Sequence, residues 1–282
     1  MIRNALLVAL AALTLLFIVK WRRAAAGKHQ PSLMQVAIGF VTDFFDTLGI
    51  GSFATTTTAY KVLKVVPDEQ IVGTMLIGHS LPVVVQAFIF IVAVQVDPVV
   101  LVSLIAVSIL GSWLGAGIAS RLPRRPIQIF MGIGLFAAAF FMLLSQLGMF
   151  PSGGTALTLT PVKLAIALVV NFILGGLLML GIGSYAPSLI LISMLGMDLR
   201  AAFPIMMSSG AMMAMVGSFQ FMKAGRFDKN AALGLAIGGI PAVLIAGLLV
   251  QSLPLDVLRW VVVVVVVYAA TTMLYSAFAE RR

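Results

Sequence analysis

The sequence predicts an all-α polytopic membrane protein with two inverted-topology repeats. Each repeat is a re-entrant broken-helix hairpin plus three transmembrane helices, and one extra N-terminal transmembrane helix precedes them. Hydrophobic residues make up 61% of the 282 residues and charged residues 10%, whereas soluble domains average about 45–50% and about 25%. The phrase LGIGSFA at 48–54 returns 132 positions later as LGIGSYA at 180–186. Lysine and arginine cluster in short loops between long apolar runs, a distribution that sets membrane topology.

The first segment, 1–32, is interpreted as an N-terminal transmembrane helix followed by a basic cytoplasmic loop. Residues 4–20 are apolar, and the strong positive charge of Lys20, Arg22 and Arg23 comes after them. A secretory signal peptide carries its charge in front of the apolar run. We therefore expect a retained helix whose N-terminus lies outside the cell.

Eight further apolar runs follow, and two of them are unusually long and contain the repeated phrase near the middle. The runs cover 33–66, 68–96, 98–121, 125–149, 162–196, 198–222, 229–251 and 255–277. If 33–66 and 162–196 both crossed the membrane, ten of the 18 lysines and arginines would be cytoplasmic, whereas fourteen are if both runs are hairpins. The positive-inside rule therefore favours hairpins, seven full crossings and a cytoplasmic C-terminus.

Repeat 1 is predicted at 33–150 and repeat 2 at 162–282, joined by the polar linker 151–161. The register extends beyond the phrase, because Gly78 matches Gly210 at the same offset. Further matches at an offset of 131 are Asp97 with Asp228 and Leu122-Pro123 with Leu253-Pro254. Three crossings in each repeat is an odd number, so repeat 2 is expected to be inverted relative to repeat 1. Inverted repeats are typical of secondary transporters.

The two Gly-Ile-Gly-Ser turns are predicted to form an anion site near the membrane midplane. Ser52 and Ser184 are expected as N-caps of helices 52–66 and 184–196, whose first amides carry a partial positive charge. Two such helix ends that meet would bind an anion. The predicted binding residues are Gly49, Gly51, Ser52, Thr55, Thr56, Gly78, His79, Gly181, Gly183, Ser184, Tyr185, Ser208 and Ser209. The alternative is that each turn is only a packing kink of small residues.

Asp43 and Asp46 lie on one helical face just before the first turn, where ionisable groups at membrane depth indicate function. One interpretation is proton or cation coupling, with Asp46 as the better candidate because it is closer to the turn. The other is that both carboxylates bond hairpin backbone or pair with His79, Lys61 or Lys64. Their counterparts at the 132 offset are Gly175 and Leu178, so any coupling is expected in repeat 1 alone.

The segments GFVTDFFDTLGIGSFATTT and NFILGGLLMLGIGSYAPS, with four apolar runs in each repeat, resemble the sulfite exporter TauE/SafE family. The resemblance covers nearly the whole chain after the first helix. It implies a permease of the bacterial inner membrane for small sulfur-containing or organic anions, such as sulfite, sulfonates or sulfoacetate.

The leading hypothesis is thus a secondary transporter of a small anion, with possible proton coupling and no enzymatic activity. Sequence alone does not separate a carrier from an anion channel. A third hypothesis is an intramembrane hydrolase with a Ser52–His79 dyad, which the duplicate Ser184 without a second histidine disfavours. The expected partners are the anion and the lipid bilayer, and a homo-oligomer stays open.

Several classes of protein are excluded or not expected. The net charge of +9 does not indicate a nucleic-acid partner, because no basic stripe interleaves with aromatic residues. The chain has no cysteine, which excludes disulfides, thiol catalysis and cysteine-ligated metals. No nucleotide-binding loop is present, and neither a cofactor nor a metal is expected.

Overall fold

The computed structural model describes residues 2–47, 51–149 and 153–249, and scattered positions between 263 and 278. Ten α-helices are formed within these ranges. They are α1 (Ile2–Ala24), α2 (Leu33–Thr47), α3 (Ser52–Leu63), α4 (Asp68–Ala93), α5 (Pro98–Ala119), α6 (Arg124–Gln146), α7 (Pro161–Leu178), α8 (Tyr185–Met194), α9 (Leu199–Ala224) and α10 (Lys229–Leu249). The only β pairing in the described ranges is an isolated bridge between Ala156 and Met197.

Seven of the described helices are long and apolar enough to cross a membrane: α1, α4, α5, α6, α7, α9 and α10. The sequence also predicts seven crossings, but the two sets differ by one member. Helix α7 is long enough to qualify, although the sequence assigns it to the second hairpin. The predicted last crossing, 255–277, lies mostly outside the described residues. Large apolar side chains such as Leu114 and Ile166 are exposed on the outer faces, as expected beside lipid.

The centre of the bundle is the pair α4 and α9, which are the most buried of the long helices. On either side of this pair, α2 packs along α10 and α5 packs along α7. Both side pairs rely on glycines, because a Cβ at Gly238 would overlap the Val36 carbonyl and a Cβ at Gly111 would overlap the Phe172 carbonyl. Helix α1 lies at the periphery, where Phe17 contacts Phe219 of α9.

Contacts between loops define two ends of the bundle. At the basic end, Arg226 donates to the Leu122 carbonyl (2.9 Å) and the Asp228 amide donates to the Thr74 hydroxyl (2.8 Å). This end therefore contains the start of α4, the end of α5 and the loop between α9 and α10. Helix α2 also starts here, because Gly234 near the start of α10 faces Gln35.

The opposite end, the linker end, contains the segment 153–160. The Asp97 amide donates to the Leu157 carbonyl (3.1 Å), which places the start of α5 there. Lys163 Nζ donates to the Leu195 carbonyl (2.7 Å), so that the start of α7 and the end of α8 lie side by side.

Buried Asp68 anchors three helices at the basic end. Its carboxylate accepts hydrogen bonds from Lys61 of α3 (2.7 Å), Gln128 of α6 (2.8 Å) and Arg124 (3.3 Å). Lys61 binds Asp68 and does not bind Asp43 or Asp46, so the predicted alternative of a bond from Lys61 to one of those two carboxylates is wrong. The Lys61–Asp68 contact also places the C-terminus of α3 at the basic end of the bundle, where α2 begins.

The matched aspartates of the two repeats have the same structural role. Asp97 accepts from the amides of Val99 and Val100 and caps α5, while Asp228 accepts from the Ala231 amide (2.7 Å) at the start of α10. The sequence match between Asp97 and Asp228 therefore coincides with two helix starts.

Candidate anion-binding site

The second phrase, 180–186, forms the turn between α7 and α8 deep in the bundle, and the described part of the first phrase, 51–54, forms the start of α3. Gly51 has φ +89° and Gly181 has φ +85°, a conformation that only glycine adopts without strain. Helix α3 begins at Ser52 and helix α8 begins at Tyr185. The two turns approach each other, because a Cβ at Gly183 would lie 3.6 Å from the Cβ of Phe53.

One cavity of about 110 Å³ lies between the two turns. About 10–15 Å³ of such volume holds a water molecule, so the space suits several waters or one small polyatomic ion. Its polar lining consists of Asp46, Ser52, His79, Ser184 and Tyr185. Apolar residues of α6 and α9 complete the wall, among them Leu135, Ala138, Phe141, Met206 and Met207.

Asp46 is bound directly to the first turn. Its Oδ1 accepts a hydrogen bond from the Ser52 amide (2.6 Å), and its Oδ2 accepts one from Gln86 Nε2 (3.0 Å). Asp46 and Gln86 are both buried. The prediction that Ser52 caps α3 is wrong, because Gly51 is the N-cap residue and makes no side-chain bond. The Asp46 carboxylate satisfies the amide instead.

Asp43, His79 and Thr56 form a buried chain that joins α2, α4 and α3. His79 Nδ1 lies 2.8 Å and 3.0 Å from the two carboxylate oxygens of Asp43, and Nε2 lies 2.9 Å from the Thr56 hydroxyl. A carboxylate only accepts, so with Asp43 ionised the Nδ1 atom carries a proton. Gly239 leaves room for this carboxylate, because a Cβ there would overlap it.

The second turn has no carboxylate at the position that corresponds to Asp46. Ser184 is the N-cap residue of α8, as predicted, but its side chain makes no capping bond. Leu178, the counterpart of Asp46, lines the cavity and offers no acceptor. The hydroxyl of Tyr185 exposes less than 1 Å² and has no hydrogen-bond partner among the described residues.

Comparison with known proteins decides the family. The family described as Sulfite exporter TauE/SafE matches residues 1–142 and 163–282. The chain belongs to the sulfite exporter TauE/SafE family. The match includes the first helix, which lay outside the resemblance seen in the sequence, and leaves out only 143–162. No curated protein and no solved structure matches the chain.

Membership in the TauE/SafE family identifies a multi-pass membrane protein from a family of transporters, and the seven long apolar helices agree with this. The resemblance drawn from the Gly-Ile-Gly-Ser segments is confirmed. Within the described ranges no cluster of three histidine, aspartate or glutamate side chains could hold a metal ion.

Seven of the predicted binding residues of this TauE/SafE chain line the cavity: Gly51, Ser52, His79, Gly181, Gly183, Ser184 and Tyr185. Asp46 lines it as well, whereas Asp43 lies behind His79. Thr55 is turned back onto the Gly51 and Ser52 carbonyls. Gly78 packs against Leu235.

The remaining predicted residues lie away from the cavity or outside the described ranges. Thr56 is fully buried beneath His79. Ser208 and Ser209 are buried, and their hydroxyls have no partner among the described residues. Gly49 lies outside the described residues.

Sequence reasoning missed the wall that α6 contributes, including Gly134 and Phe141. No polar residue or repeat marks these positions, so no signal in the sequence could have found them. Gly210, which the sequence marks only as a repeat match, lines the cavity together with Met206 and Met207 of α9.

Proposed function

We propose that this protein is a secondary transporter that binds a small anion, sulfite or another sulfur-containing or organic anion, between its two Gly-Ile-Gly-Ser turns. The observation that supports this most is that both copies of the phrase line one cavity. A packing kink has no need to meet its duplicate from the other half of the chain across an open space. The family supplies the transporter class and the sulfur-anion preference.

The chemistry of the turns favours an anion. Amides at a helix start carry partial positive charge and are suited to bind anions. The first turn already holds one oxyanion, the carboxylate of Asp46, on the Ser52 amide. Oxyanions of sulfur present the same acceptor oxygens, and the Ser184 and Tyr185 hydroxyls supply further donors.

An inverted repeat is part of this proposal. The first hairpin opens towards the basic end and the second towards the linker end, as the Lys61–Asp68 and Lys163–Leu195 contacts indicate. In chain order, α2, α4 and α5 of the first repeat correspond to α7, α9 and α10 of the second. The α2–α10 pair therefore corresponds to the α7–α5 pair, and the α4–α9 pair corresponds to itself. These are the three most extensive helix pairs in the described part of the bundle, and this pairing supports an inverted repeat.

Transport would then follow from motion of one repeat against the other around a fixed site. The test is equilibrium counterflow in proteoliposomes with radiolabelled sulfite, thiosulfate and sulfonates. A carrier is expected to show saturable uptake that unlabelled anion on the opposite side accelerates. A channel would show flux without such acceleration. Absence of flux for every anion would contradict the proposal.

The hydrolase alternative has less support. It requires the Ser52 hydroxyl to bond His79, but Asp43 and Thr56 occupy both ring nitrogens. Thr56 would be the better nucleophile by position, yet it is fully buried and does not line the cavity.

Topology is tested with single cysteines, because the chain contains none. We propose that the basic end faces the cytoplasm of a bacterial inner membrane, with the N-terminus outside and the C-terminus inside. The exposed residues Arg121 and Thr158 lie at opposite ends of the bundle. A membrane-impermeant maleimide is expected to label Thr158→Cys in intact cells and Arg121→Cys only in inverted vesicles. Labelling of Arg121→Cys in intact cells would contradict a hairpin at 33–66.

A further inference from the structure

The two turns share a sequence but differ in whether a carboxylate accepts a hydrogen bond from the first amide of the helix that follows. Asp46 Oδ1 lies 2.6 Å from the Ser52 amide in repeat 1, whereas its counterpart in repeat 2 is Leu178, an apolar residue of the cavity lining. An anion that enters the cavity therefore meets a negative charge at the first turn and none at the second.

The second turn contains two hydroxyl groups that are available to donate to a ligand. The Ser184 side chain makes no capping bond, and the buried Tyr185 hydroxyl has no partner among the described residues. A buried hydroxyl without a partner is unfavourable, and beside a cavity it can donate to a bound ligand.

Gln86 can accommodate Asp46 with or without a proton. Its side chain is fully buried, Nε2 donates to the Asp46 carboxylate, and Oε1 has no partner among the described residues. Rotation of the amide by half a turn would bring Oε1 to the position of Nε2, where it could accept a hydrogen bond from the O–H of a neutral carboxyl group. An apolar neighbour would offer no bond in either state, and an arginine would bond only the charged one.

We infer that the Asp46 carboxylate and the substrate anion exclude each other at the Ser52 amide, so that the anion binds together with one proton that neutralises Asp46. The α8 turn holds the anion, and the amide released by Asp46 completes its shell. The only covalent change is the O–H bond that forms when Asp46 takes one proton from the surrounding water. The Ser52 amide then donates to an oxygen of the anion instead of Asp46 Oδ1. This inference rests on the proposed transport of an anion through the cavity.

Three other titratable groups surround Asp46. Asp43 from α2, His79 from α4 and Tyr185 from α8 face it. Asp43 and His79 bond each other, and Thr56 closes the chain. The α6 and α9 side chains that line the cavity are apolar. Two negative charges in so small a space repel strongly, because little water separates them.

The test is equilibrium binding of radiolabelled thiosulfate and methanesulfonate to the purified protein from roughly pH 5 to roughly pH 9, a range that includes the titration of carboxyl groups removed from water. Both probes keep their charge across it, so the pH dependence belongs to the protein. The affinity of the wild type is expected to fall by about tenfold per pH unit above the titration of Asp46, the slope for one proton per anion. Asp46→Asn is expected to bind at high pH as tightly as the wild type does at low pH.

The possible failures can be told apart. If the wild type binds with a constant affinity across the range, or if Asp46→Asn retains the pH slope, the exclusion is wrong while the anion site stands. If the wild type binds and transports neither these probes nor sulfite, the proposed function itself fails. The wild-type slope needs no variant, so the inference remains testable even if Asp46→Asn does not fold.

Leu178 offers a matched pair for the second turn. Leu178→Asp places a carboxylate where repeat 2 has none, and Leu178→Asn introduces a side chain of nearly the same size without the charge. We expect the aspartate variant to bind either probe at least about tenfold more weakly than the asparagine variant above neutral pH, the effect of roughly 1.4 kcal/mol of repulsion. Equal affinities of the two variants would contradict the assignment of the anion to the α8 turn.

Discussion

Replacement of His79 by alanine is expected to lower the free energy of unfolding by about 3–5 kcal/mol, because it leaves a buried charge without its partner. Asp43 is 0% exposed, and both of its carboxylate oxygens bond the His79 ring. The measurement is chemical unfolding of the detergent-purified protein at neutral pH.

A second substitution distinguishes this cause from simple loss of packing. With Asp43→Asn the charge is removed, so the double variant Asp43→Asn/His79→Ala is expected to be more stable than His79→Ala alone. Directly coupled residues show interaction energies of about 0.5–3 kcal/mol in such cycles. Strictly additive losses would mean that the two side chains act independently, in conflict with their contact.

The Tyr185→Phe variant is expected to bind sulfite about tenfold to a hundredfold more weakly without any loss of stability. A hydrogen bond to a charged group contributes about 1.5–3 kcal/mol, and tenfold in affinity is about 1.4 kcal/mol. The hydroxyl has no partner among the described residues, so its removal breaks no bond within the described fold. Equilibrium binding and thermal unfolding of the same preparation measure both quantities.

Tyr60 provides the control for this variant. Its hydroxyl is also buried without a partner in the described part of the chain, but Tyr60 does not line the cavity. Tyr60→Phe is therefore expected to leave the affinity for sulfite unchanged and to preserve or raise stability. Equal losses of affinity in both variants would show that the effect comes from the fold and not from contact with the anion.

Much of the architecture could be predicted because the physics of membranes is restrictive. Apolar length alone locates the long helices, since backbone in lipid must satisfy its own hydrogen bonds. The duplicated turns could be found because a phrase such as Gly-Ile-Gly-Ser interrupts an apolar run where a helix would otherwise continue. Asp46 and His79 could be selected because ionisable groups are costly at that depth.

The partners of these residues could not be predicted from periodicity. Asp43, His79 and Thr56 come from three helices, and their meeting depends on how α2, α3 and α4 pack. The cap of α3 was assigned to Ser52 because it is the nearest hydroxyl in sequence, whereas the turn brings the Asp46 carboxylate back onto the Ser52 amide. A local rule selects among sequence neighbours, and here a residue six positions away supplies the acceptor.

The proposed transport depends on one cavity shared by the two turns, and Gly183 offers the most direct access to it. Gly183 lines the cavity, and a Cβ there would lie 3.6 Å from the Cβ of Phe53, so Gly183→Leu would place a bulky side chain between the turns. A Cβ at Gly117 of α5 would have no described neighbour within 4 Å, and Gly117→Leu is therefore the matched control on an open helix face. The decisive measurement is counterflow of radiolabelled sulfite in proteoliposomes that contain wild type, Gly183→Leu or Gly117→Leu. We predict saturable counterflow in the wild type and the control and none in Gly183→Leu; undiminished counterflow in a folded Gly183→Leu would contradict a binding site between the turns.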